Sequence, residues 1–144
     1  MNRPRILFAC RANAGRSVMA TLLARHYAGD LLDVESAGSE PGAEVHPEVA
    51  FALAAVGLST AGESPSGFDP AGRYDVVVTM GCGEACPVYA GARYEDWPVE
   101  DPKGRDSQEV RRIFADLDAR VRALLGRVVP DAALGPPLIP SRPS

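Results

Sequence analysis

Residues 10–17 read Cys10-Arg11-Ala12-Asn13-Ala14-Gly15-Arg16-Ser17, and they join an apolar run to a helical pattern. Before them, Arg5-Ile6-Leu7-Phe8-Ala9 shows no polar alternation, as expected of a strand buried on both faces. After them, Val18, Met19, Leu22, Leu23 and Tyr27 recur at helical spacing, and Gly29 can close that helix. A buried strand, a tight loop and a helix aimed back at the loop make the first unit of a parallel α/β fold.

The same alternation continues outward. Leu31 to Ser36 is a second strand candidate, followed by the turn-forming stretch 38–42. His46-Pro47 opens a second helix, with proline where its missing N–H costs little; Val49, Leu53 and Val56 form its stripe and Gly57 ends it. Residues 59–73 are rich in Ser, Gly and Pro and read as an exposed connection. Tyr74 to Met80 is a strong strand, residues 93–97 a weak one, and Asp101-Pro102-Lys103-Gly104 a turn. The last helix carries Val110, Ile113, Phe114, Leu117, Val121, Leu124 and Leu125 on one face, with Asp106 and Glu109 as a capping pair and Gly126 at its end. The expected fold is α/β, a four-stranded parallel sheet with right-handed crossovers and helices on both faces. Residues 1–129 are expected to form a single catalytic domain. Residues 130–144 hold five prolines and no periodicity, and are expected to be a disordered tail.

Bulk properties narrow the function. The 144 residues suit one domain, and 46% hydrophobic with 24% charged residues is a globular composition. A net charge of −4 argues against nucleic acid or an acidic membrane surface as partner. No stretch approaches the roughly 18 apolar residues that span a bilayer, and the N-terminus lacks a signal-peptide core. A cytoplasmic location is expected. Three cysteines, an odd number, do not build a disulfide framework.

In parallel sheets of this kind, ligands sit at the carboxyl ends of the strands. Cys10, Cys82 and Asp101 each follow a strand candidate, which assigns them to that rim. Five residues between Cys10 and Arg16 allow backbone N–H groups of Arg11, Ala12, Asn13, Ala14 and Gly15 to converge as an anion nest. The helix N-terminus adds roughly half a positive charge, and Arg16 offers two parallel N–H bonds to an oxyanion. The same field favours the thiolate form of Cys10. Cys10 is therefore read as a nucleophile aimed at a tetrahedral, phosphate-like oxyanion. Ser17 can donate to the thiolate, and Asn13 can brace the loop, with Ser36 as candidate partner. Asp101 is a candidate general acid, although Asp-Pro is also a common turn dipeptide. Cys82 and Cys86 allow successive thiol–disulfide exchanges with a Cys10 adduct. Inert loop cysteines are the competing reading; a metal site would need further ligands, and His26 and His46 lie at no recognisable spacing.

The nucleophile loop, Glu35-Ser36-Ala37-Gly38, Val77-Val78-Thr79-Met80 and Asp101-Pro102 together resemble the low-molecular-weight protein tyrosine phosphatase family over residues 5 to about 126. Lys103-Gly104 stands where phosphatases of that family commonly carry aromatic residues. Gly81-Cys82-Gly83-Glu84-Ala85-Cys86-Pro87 and Asp96-Trp97 resemble instead the family's arsenate reductases of the thioredoxin-coupled, three-cysteine type. The resemblance implies a flavodoxin-like three-layer fold, no bound cofactor or metal, arsenate as substrate and thioredoxin as electron donor. It implies that Cys10 attacks arsenic, Asp101 protonates the departing oxygen, Cys82 attacks Cys10 as arsenite leaves, and Cys86 then displaces Cys10. A related branch uses a low-molecular-weight thiol such as mycothiol or bacillithiol. A phosphatase acting on phosphotyrosine or small phosphoesters, or a non-catalytic oxyanion- or metal-binding module, are the other readings.

Overall fold

A computed structural model describes residues 3–139 of the chain. Its elements are β1 (Arg5–Cys10), α1 (Arg16–Ala28), β2 (Asp33–Gly38), α2 (Pro47–Ala55), β3 (Val76–Met80), β4 (Arg93–Asp96) and α3 (Ser107–Val128). The four strands form one parallel sheet in the order β2-β1-β3-β4. Register brings Cys10 opposite Gly38 on one side and Met80 on the other, so three strands end together at one rim.

Local chemistry sets the helix ends. His46 is the N-cap of α2 with Pro47 in the first helical position, and Asp106 caps α3 by accepting from the Glu109 N–H at 2.8 Å. Gly126 does not end α3, which continues to Val128. A glycine costs a helix interior only about 1 kcal/mol, and Leu124 and Leu125, both fully buried, hold the last turn down.

Period-2 alternation divides the sheet into two faces. Ile6, Phe8 and Cys10 face a large core that also receives Met19 and Leu23 of α1, Val49 and Leu53 of α2, and Ile113, Leu117 and Leu124 of α3. Leu7, Ala37 and Val77 face the other way and are covered by Tyr74, Tyr89, Phe68 and Ala92, which belong to connections. Among the described residues, all three helices thus pack on one face, where helices were expected on both. The handedness rule accounts for what covers the second face. The chain moves one way from β1 to β2 and the other way from β2 to β3 and β4, so right-handed connections must fall on opposite faces. The 59–75 and 81–92 connections take the second face without forming a long helix.

Residues 130–139 also differ from the expected disordered tail. Ala132, Leu134, Leu138 and Ile139 pack on the main core, and Ile139 is buried. The Leu138 N–H donates to the Tyr27 hydroxyl at 2.9 Å, and Arg122 donates to the Gly135 carbonyl at 2.9 Å. These apolar residues are spaced too irregularly among the prolines to show a period. Residues 140–144 of the expected tail lie outside the described residues.

Candidate active site

The loop after β1 owes its shape to the segment wrapped around it. The carbonyls of Cys10, Arg11, Ala12 and Ala14 accept from the N–H groups of Ser39, Glu40, Gly42 and His46 at 2.7–3.1 Å. Each of these peptides is therefore fixed with its oxygen outward. Because a trans peptide carries its N–H opposite its carbonyl, the N–H groups of Arg11, Ala12, Asn13 and Gly15 turn inward. The Asn13 N–H shows the result, reaching the Cys10 sulfur at 3.3 Å. Gly38 makes the close approach possible: a Cβ there would lie 2.5 Å from the Arg11 oxygen and 2.9 Å from the Asn13 nitrogen.

Cys10 is buried and unpaired, and its sulfur lies 2.9 Å from the Ser17 hydroxyl. Asn13 donates from Nδ2 to that hydroxyl at 2.8 Å, which directs the Ser17 proton toward sulfur. Asn13 itself adopts φ +52, in the left-handed region that asparagine tolerates better than most residues. Its Oδ1 accepts from the Ser66 N–H at 2.9 Å. The Asn13 side chain is thus partnered by the Ser17 hydroxyl and the Ser66 backbone, not by Ser36. Ser36 lies within β2 opposite Phe8, two residues short of the rim, and its carbonyl accepts from the Ser66 hydroxyl. The signal for Ser66 was absent from the sequence because it sits in the Ser/Gly/Pro-rich connection, which carries no periodicity.

Arg16 opens α1 and is held from two sides. Nη1 donates to the Val99 carbonyl at 3.1 Å, and Nη2 lies 3.8 Å from Asp101 Oδ2. The guanidinium also rests on Gly81 (φ +88), where a Cβ would stand 2.7 Å from Nη1. Asp101 remains more than half exposed, and its Oδ1 accepts from the Lys103 N–H at 3.0 Å. Pro102 packs at Gly15, where a Cβ would meet its ring at 3.1 Å. Cys10, Asn13, Arg16, Ser17 and Asp101 are brought to one rim, with the Arg11 side chain outside it against Glu40.

Cys82 follows Gly81 on that rim and is buried, whereas Cys86 is half-buried. The two are joined as a disulfide with Cα atoms 5.3 Å apart, an ordinary separation for one. The intervening residues form a single 3-10 turn, closed by Ala85 and Cys86 N–H groups on the Cys82 and Gly83 carbonyls. The chain turns back through Gly83, whose φ is +56, and this brings Cys86 within reach of Cys82.

The fold and this loop define an α/β protein with a free, buried thiol at the head of a loop whose N–H groups turn inward. Residues 5–134 match the low molecular weight phosphotyrosine protein phosphatase family, and the chain belongs to it. Within that family it is 30% identical over 129 residues to the glutaredoxin arsenate reductase of Synechocystis sp., covering 86% of this chain and 98% of that one. A solved thioredoxin-dependent arsenate reductase of Corynebacterium glutamicum is 38% identical with a TM-score of 0.75, covering 88% of this chain and 62% of that longer one. An arsenate reductase solved in its phosphate-binding state is 28% identical with a TM-score of 0.75, covering 87% and 98%.

Proposed function

We propose that this chain is an arsenate reductase working through a Cys10–Cys82–Cys86 relay, with thioredoxin as the electron donor. The observation that carries it is the pattern of thiols: Cys82 and Cys86 are joined while Cys10 is free beside Ser17. That is the state such a relay reaches at the end of one cycle, when the nucleophile has been returned and the oxidising equivalent has moved outward.

The steps are those the family resemblance implies, placed on this chain's own residues. Arsenate enters the nest formed by the N–H groups of residues 11–15 and is held by Arg16. The Cys10 thiolate, hydrogen-bonded to Ser17, attacks arsenic, and Asp101 gives a proton to the oxygen that departs as water. The Cys82 thiolate then attacks the Cys10 sulfur, and arsenite leaves with the sulfur–arsenic electron pair. Cys86 attacks Cys82, freeing Cys10 and forming Cys82–Cys86. A dithiol donor reduces that bond through Cys86, the less buried of the two. Two electrons from two thiols balance arsenate to arsenite. The catalytic unit is residues 1–129 as a single domain, with residues 130–139 laid against it, and the relay requires a reducing compartment such as the cytoplasm. No helix among the described residues is long and apolar enough to cross a membrane.

The test is arsenate-dependent NADPH oxidation with thioredoxin and its reductase, run beside a mycothiol or bacillithiol system and a phosphotyrosine peptide. Turnover with thioredoxin at an efficiency well above that on the peptide is expected. Comparable efficiency on the peptide would favour the phosphatase reading, and turnover only with the small thiol would replace the donor.

A further inference from the structure

The placement of Asp101 raises a question that the loop itself does not answer. Asp101 lies 3.8 Å from Arg16, too far for a hydrogen bond, and its Oδ1 bonds within its own turn. Neither contact fixes the turn on the anion loop, which it meets only by the packing of Pro102 at Gly15. Upstream, the chain is held by the Val99 carbonyl on Arg16 at 3.1 Å. Downstream, the Gly104 N–H donates to Glu48 Oε2 at 2.8 Å.

Glu48 stands in the first turn of α2, and the same turn is anchored to the anion loop. His46 donates its N–H to the Ala14 carbonyl at 2.9 Å, and its ring lies beside Gly15, where a Cβ would meet it at 3.4 Å. One rigid helix start therefore holds the anion loop by its backbone and the Asp101 turn by a carboxylate. The Gly104 N–H holds the Glu48 carboxyl below the usual carboxylate range, with the α2 N-terminus acting in the same sense.

We propose that Glu48 is a positioning residue for Asp101, setting the height of the acid above the anion cradle by tethering the Gly104 amide. This rests on the reading of Asp101 as the general acid. Glu48 touches neither substrate nor reacting sulfur; it acts through residues 101–104. An oxygen acceptor of this reach is required. Aspartate is shorter by a methylene and cannot span the gap from the same helix position, whereas glutamine keeps an oxygen acceptor at the same place.

The experiment is a double-mutant cycle on the single-turnover rate of arsenite formation, with arsenate affinity read separately. E48A and E48D are each expected to lower the rate at saturating arsenate about tenfold, with affinity changed less than about twofold, since the cradle stays intact. E48Q is expected to recover most of that rate. In the D101N background E48A should cost nothing further, because the residue it positions is already disabled. An undiminished E48A loss in the D101N background, or E48D at the unaltered rate, overturns the role of Glu48 and leaves Asp101 as the acid. An unaltered rate in D101N alone removes the acid assignment, and this role of Glu48 falls with it. E48D keeps the charge at the helix N-terminus, so it carries the test should E48A fold poorly.

Discussion

Replacing Gly81 by alanine separates the anion cradle from general stability. Gly81 has φ +88, and an L-residue with a side chain costs about 1–2 kcal/mol in that region. Gly91 has φ +84 and nothing within 4 Å of a built Cβ, so G91A carries the same strain and no contact. In G81A the new methyl would sit 2.7 Å from Arg16 Nη1, 3.1 Å from Nη2 and 3.2 Å from Cζ. Ordinary carbon contacts lie near ~3.5–4.0 Å, so the guanidinium must move by roughly 1 Å away from its seat. A pair of charge-assisted hydrogen bonds to an oxyanion does not survive such a shift in good geometry, and bonds to charged groups contribute about 1.5–3 kcal/mol. Anion affinity should fall about ten- to a hundredfold. The assay is calorimetric titration with inorganic phosphate as the tetrahedral probe, beside urea unfolding of both variants. G81A and G91A should lose similar stability, and only G81A should lose the anion. Equal phosphate affinity in the two variants would refute the seating of Arg16 on Gly81.

Two further outcomes follow from packing and burial. G38A puts a methyl 2.5 Å from the Arg11 oxygen, a backbone atom that cannot yield cheaply; it should cost about 1–3 kcal/mol of unfolding free energy and abolish phosphate binding, and wild-type binding in G38A would contradict the loop's shape. Asp118 is buried on α3, accepting from the Tyr27 hydroxyl, and burial raises its pKa. Its folded value lies above the unfolded one, so its contribution is fully present below the ordinary carboxylate range and is lost as pH rises through the raised value. D118N, which keeps an acceptor for Tyr27, should flatten the decline in urea stability across that interval; an unchanged slope would show that Asp118 does not set it.

The residues proposed to react were legible because such chemistry restricts them to few types at fixed spacing. A cysteine, an arginine six positions on and a hydroxyl next to it, between a strand and a helix, left little freedom, and the structure brings Cys10, Arg16 and Ser17 together at one rim. Parallel order was legible too, since Ile6-Leu7-Phe8 and Val76-Val77-Val78 are apolar without alternation. What escaped was whatever depends on backbone atoms or aperiodic segments. Ser66 braces Asn13 and Gly38 through its main chain, which leaves no trace in residue type. The second face of the sheet is closed by Phe68, Tyr74 and Tyr89, scattered over two connections. The segment 130–139 packs through apolar residues set among prolines, and composition alone cannot distinguish that from a loose tail. Glu48 reads as one more first-turn acid until Gly104 is seen beside it.

The central claim is that electrons leave through Cys82 and then Cys86. It is tested most directly by C86S with arsenate, thioredoxin, its reductase and NADPH. The relay predicts about one equivalent of arsenite per chain, no sustained NADPH oxidation, and a Cys10–Cys82 disulfide trapped in the product and found by peptide mapping. Sustained turnover by C86S at the wild-type rate, with no such bond, would contradict it.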